Sequence, residues 1–162
     1  ITAKSVEDAF KANGFTIVGN NDMNKPFKDR FGGGKDFNMY RLMFVHNPEI
    51  STKIIKKYPK FGLLSPLSTS VYSKDGSTIS ISSLTITGIS RITDVPENDP
   101  DLIELYDKMT KSLHAAMPTG DFEPLNYKII RPDGELITKF KFIMKNESGD
   151  IEEAKETFQE TM

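Results

Sequence analysis

The chain has no cysteine and only two histidines in 162 residues. Without thiols there is no disulfide, no thiolate nucleophile and no cysteine-based metal site. His46 and His114 stand far apart, and neither has a second histidine at ligand spacing, so no closed metal site is indicated. Charge of one sign is also lacking: 21 Lys and Arg against 23 Asp and Glu leave a net charge of −2. No global basic field exists to attract nucleic acid or an anionic membrane. Apolar runs are only a few residues long, so no segment reads as a membrane-spanning helix. Signature motifs are missing too. There is no Gly-x-Ser-x-Gly elbow. The run Phe31-Gly32-Gly33-Gly34-Lys35 lacks Walker spacing, and Asp36 and a strand follow it where a helix should begin. Met23, Met39 and Met43 offer soft sulfur, but methionine in such segments reads as core filler.

What is present suits an ordered domain. Hydrophobic residues make up 37% and charged residues 27%, enough to build a core and enough to keep it in solution. The length fits one domain, or one domain with an appendage. The first residue is Ile1, which points to trimming, either by removal of an export signal or by design; an exported or periplasmic location is the favoured expectation.

Patterning predicts the elements. Residues 1–4 read as the end of a strand. Ser5 is the expected N-cap of a helix that puts Val6, Ala9 and Phe10 on one face and ends at Asn13-Gly14. A short strand over 15–19 is followed by Asn20-Asn21-Asp22 as turn residues. A short helix is expected over 26–31. The segment 37–46 is the strongest strand, with Phe37, Met39, Met43 and Val45 on one face and Tyr40, Leu42 and Phe44 on the other. Bulk on both faces predicts a strand central in its sheet and covered on both sides. Arg41 falls in the first set and needs a partner or a route to water. Asn47 caps the next helix with Pro48 at its first position, Ile50, Ile54 and Ile55 face inward, and Pro59 stops it. A strand over 67–73 turns through Lys74-Asp75-Gly76-Ser77 into a returning strand over 78–87. The apolar phase flips between Ile81 and Leu84, which implies a bulge or break near Ser82-Ser83. A loop precedes a helix over 100–116 with the stripe Leu102, Leu105, Tyr106, Met109 and Leu113.

The domain is therefore expected over 1–118. Residues 119–162 read as an appendage: strands over 127–130 and 136–143 around Arg131-Pro132-Asp133-Gly134, then a helix from 150 with Ile151, Ala154 and Phe158 inward. Asp150-Ile151-Glu152-Glu153-Ala154 echoes Ser5-Val6-Glu7-Asp8-Ala9, as shared capping rules or as the start of a second repeat.

Several of these residues together carry a resemblance. The run from Ser5-Val6-Glu7 to Gly14-Phe15, then Phe44 to Asn47-Pro48, then Gly62-Leu63-Leu64-Ser65-Pro66-Leu67 into Val71-Tyr72 and Asp75-Gly76, resembles the domain of unknown function 302 family over about residues 1–117. The resemblance implies an α+β fold of the TATA-box-binding-protein-like type: a curved antiparallel sheet with helices packed on one face, often dimeric. Two features depart from the family pattern. Asn20-Asn21-Asp22 stands where many members carry a histidine or an acidic pair, and the loop over 25–36 is longer. The family name carries no activity.

The leading expectation is a soluble, non-enzymatic module that binds a small apolar or amphipathic ligand, without cofactor, metal or catalytic residue. The expected lining is Tyr40, Leu42, Phe44 and His46 from one strand face, with Asn47, Leu64 and Tyr72. His46 ends the central strand before a helix cap, a position that often faces a cleft. His114 reads as a solvent-facing imidazole near a helix end. The alternative is an interaction protein forming a homodimer or larger assembly through its sheet or appendage. A third reading is an unrecognised hydrolase or metal-dependent enzyme, which no motif supports.

Overall fold

Strand β2 (Met39–His46) sets the layering of the molecule, because its side chains alternate between two unlike surroundings. Met43 and Val45 are fully buried, whereas Tyr40, Leu42 and Phe44 on the opposite face are only half-buried. The computed structural model describes residues 2–31 and 37–122, together with Glu152 and Glu156. The expected appendage strands lie outside the described residues.

Four antiparallel strands stand in the order β1 (Thr16–Asp22), β2, β3 (Leu67–Ser73) and β4 (Ser80–Ser82). β2 is interior, as its bulk predicts, with Leu42 opposite Ser70 of β3 and Asn21 of β1. The expectation of full cover on both faces does not hold. Among the described residues the core lies on one face, where Met43, Val45, Leu67 and Val71 meet the helices. These are α1 (Ala3–Ala12), α3 (Pro48–Lys57), α4 (Ile86–Thr93) and α5 (Pro100–Ala116). They contribute Val6, Phe10, Ile50, Ile54, Ile89, Leu102, Leu105 and Met109, all essentially without solvent contact. Each such side chain stabilises the fold by roughly 1.5–3 kcal/mol relative to exposure. α2 (Asn24–Phe31) lies against the other face, where Phe27 meets Tyr40 edge-on at 6.1 Å.

Local chemistry accounts for the element ends. Asn47 caps α3: the Ile50 N–H donates to its Oδ1 at 3.0 Å, and its Nδ2 donates to the Gly14 carbonyl at 3.0 Å. One side chain thereby ties the start of α3 to the turn after α1, where Gly14 takes φ +84. A 3-10 turn, Pro59–Leu64, follows α3 and buries Phe61.

Three expectations are corrected. Residues 3 and 4 are helical, not the end of a strand: Thr2 is the N-cap, and Ser5 sits at the third helical position of a capping box. Asn20, Asn21 and Asp22 belong to β1, because β2 supplies partners opposite them. The returning strand stops at Ser82, and Thr85 caps α4 through the Gly88 N–H at 3.0 Å. Isoleucine and threonine over 86–93 imitate a strand, but Thr85 and the inward spacing of Ile89 and Thr93 make a helix.

Candidate functional site

The side chains of α5 fall into two neighbouring stripes. Leu102, Leu105, Met109, Ser112 and Ala116 face the core and are buried. Tyr106, Thr110, Leu113 and Met117, one step around the helix, face a cleft of about 440 Å³. The opposite wall is β4 with the segment leading into it and the turn after it, residues 78–85. Residues 120–122 line the cleft as well.

The lining is mixed in a definite way. Ile79, Ile81 and Leu84 from the strand side, and Met109, Leu113 and Met117 from the helix, supply apolar surface. Hydroxyls come from Ser80, Ser82, Ser83, Thr85, Thr110, Tyr72 and Tyr106. His114 adds an imidazole and Asp121 a carboxylate. His114 and Phe122 pack edge to face at 5.0 Å, so the imidazole is held beside an apolar ring. Ser83 accepts a hydrogen bond at 3.4 Å from the buried Thr69 hydroxyl, which links the cleft wall to the inner face of β3.

Asp75 positions the strand side. Its Oδ1 accepts the N–H groups of Ser77 and Thr78, each at 2.8 Å. These backbone donors, Thr78 first, hold its carboxyl far below the ordinary carboxylate range. Gly76 takes φ +80 in the same turn and donates to the Ser73 hydroxyl at 2.9 Å. The turn thus delivers Ile79 to the cleft in fixed register.

The residues expected to line a pocket divide into three groups. Tyr40, Leu42, Phe44 and His46 share the outer face of β2, and Tyr72 stands opposite Tyr40 on β3. The Tyr40 and Tyr72 rings stack at 6.0 Å, Phe37 meets both edge-on at 5.0 and 5.6 Å, and the Tyr40 hydroxyl pairs with Ser70 at 3.2 Å. Of this set only Tyr72 also lines the cleft. Asn47 is committed to the α3 cap, and Leu64 packs against the core on the helix side of the sheet. The second stripe of α5 was visible in the sequence, since Tyr106, Thr110 and His114 recur every four residues. The wall over 79–85 was not, because it depends on where β4 ends.

Among the described residues no group of three or more His, Cys, Asp or Glu could hold a metal ion, and no buried side-chain nitrogen or oxygen lacks a hydrogen-bond partner.

The family model described as "Domain of unknown function DUF302" matches residues 1–117. The chain belongs to the DUF302 family. It is similar to the crystal structure of an uncharacterized conserved DUF302 protein from Bacillus stearothermophilus, with a TM-score of 0.54 and 22% sequence identity. The match covers 71% of this chain and 84% of that one, and at this identity it carries the fold alone. No curated protein matches the chain. The DUF302 region includes both long walls of the cleft and ends at Met117, while Gly120, Asp121 and Phe122 lie beyond it. No helix among the described residues is long and apolar enough to cross a membrane.

Proposed function

We propose that this DUF302 domain is a non-enzymatic module that binds a small amphipathic molecule between β4 and α5. One observation carries this reading: a cleft of about 440 Å³ is lined by apolar side chains together with hydroxyls, one imidazole and one carboxylate. Ligand sites combine the same two features, apolar area for affinity and a few polar groups for orientation. The apolar part of the ligand would lie on Leu113, Met117 and Leu84. Its polar end would meet the hydroxyls of the lining and His114. The stacked Tyr40–Tyr72 pair extends the aromatic surface from the cleft onto the sheet.

Titration with an anilinonaphthalene dye tests the reading. The wild-type protein should bind the dye saturably. Leu113→Trp, which fills the cleft from a half-buried position, should abolish the signal with little change in the urea unfolding midpoint. Absence of saturable binding by the wild-type protein overturns the proposal.

A second reading rests on the outer sheet face. Val18 is 54% exposed at the bulge of β1, and Leu42 and Phe44 are half-buried on the outer face of β2. Such a surface suits self-association into a homodimer. Sedimentation equilibrium decides it: a monomer at all concentrations removes this reading.

A further inference from the structure

We propose that the molecule held between β4 and α5 carries a single unbranched alkyl chain, laid lengthwise along α5. This inference rests on the ligand reading above and adds to it the shape and chemical class of the ligand.

The cleft is long for its volume. Its α5 wall runs from Tyr106 to Met117. At about 1.5 Å per helical residue, that wall is about 16 Å long. A volume of about 440 Å³ spread over about 16 Å leaves a mean cross-section of about 27 Å². One extended hydrocarbon chain fills such a section, whereas a fused-ring skeleton is wider.

The side chains that face the cleft follow the same axis. Tyr106, Thr110, Leu113 and Met117 recur every three or four residues, so they form one row along the helix. All four are half-buried, and each keeps surface that a ligand can cover. Ile79 and Ile81, also half-buried, line the strand side. Branched aliphatic side chains and a flexible methionine adapt to a run of methylenes without needing a fixed ring geometry.

Competition against the bound dye by hexanoate, octanoate, decanoate and dodecanoate, and by the rigid steroid cholate, reads the shape. Affinity should rise by up to about fourfold for each added methylene, the gain for a methylene taken fully out of water. Cholate should bind about tenfold more weakly than dodecanoate, because its ring system cannot enter a section sized for one chain. Equal affinity for hexanoate and dodecanoate, or cholate binding as tightly as dodecanoate, overturns the proposal, while saturable dye binding keeps the ligand reading. Met117→Trp shortens the cleft at one end. It should weaken dodecanoate about tenfold and leave hexanoate nearly unchanged, since a short chain still fits in the remainder. An equal loss for both chains contradicts a lengthwise seat. The cholate comparison in the wild-type protein decides the matter if that variant does not fold. If the wild-type protein binds neither dye nor alkanoate, the ligand reading falls and this inference falls with it.

Discussion

Arg41 is held by Asn20. Its Nε donates to the Asn20 side-chain oxygen at 2.7 Å, and its Nη2 donates to the Asn20 backbone carbonyl at 2.8 Å. The Asn20 amide nitrogen in turn donates to Glu7 of α1. One asparagine thus answers the need of an arginine whose strand neighbours face the core, and it ties β1 to α1 and β2.

Asn20→Ala removes the side-chain acceptor from Arg41 and the donor from Glu7. The expected loss is about 1–3 kcal/mol, because groups left half-satisfied near the core cost more than a bond between exposed groups. Urea unfolding measures it. A midpoint equal to wild type would mean that water replaces both partners at no cost.

Glu7 gives this cluster a pH dependence. The hydrogen bond from Asn20, and after it Lys11, hold the Glu7 carboxyl below its ordinary value against a smaller effect of burial. A depressed folded-state value contributes stability above the unfolded value, near 4.5, and the contribution is lost as pH falls through the folded value. Glu7→Gln should therefore be less stable than wild type at neutral pH, and the gap should close on acidification below 4.5. A gap that is constant with pH contradicts this.

Asp99 caps α5 and binds Lys57 of α3. It accepts the Asp101 N–H at 2.9 Å and lies 2.6 Å from the lysine nitrogen, which is also 2.8 Å from Asp101. Burial pushes its carboxyl up, but Lys57 and the N–H groups of Leu102 and Asp101 together hold it below its ordinary value. Asp99→Ala loses cap and ion pair and should cost about 1–2 kcal/mol. Asp99→Asn keeps the cap and should cost less. Thermal unfolding of the two variants gives the order, and equal losses would mean that the ion pair, absent from both, carries the stability and the cap none.

Asp75→Ala should loosen the turn that carries Ile79 to the cleft. Hydrogen exchange over 77–82 should speed, and dye affinity should fall, while the β1–β2 ladder keeps its protection. Unchanged exchange would show that Gly76 and Ser73 hold the turn without the carboxylate.

How much the sequence revealed depended on whether an element's signal was local. α5 was legible at both ends because Pro100 and a regular apolar stripe lie within it. α3 was legible through Asn47-Pro48, and the turn after β3 through Asp75-Gly76. β1 was read too short because asparagine favours turns unless a neighbouring strand supplies partners, and that neighbour is twenty residues away in sequence. α4 was missed: its first two residues were read as the end of the returning strand and the rest as loop, because β-branched residues and Gly88 dominate it. The same misreading hid the candidate site. His46 drew attention as a histidine at a strand end, yet the cleft has His114, and its strand wall exists only because β4 stops at Ser82.

The most direct test of the central claim is a 15N amide-shift titration of the full chain with decanoate, a simple amphipathic anion. Ligand seated between β4 and α5 predicts saturable shifts over residues 79–85 and along the Tyr106, Thr110, Leu113 and Met117 stripe, with β1 unmoved. Shifts confined to Tyr40, Leu42, Phe44 and His46, or no saturable shift at all, would contradict it.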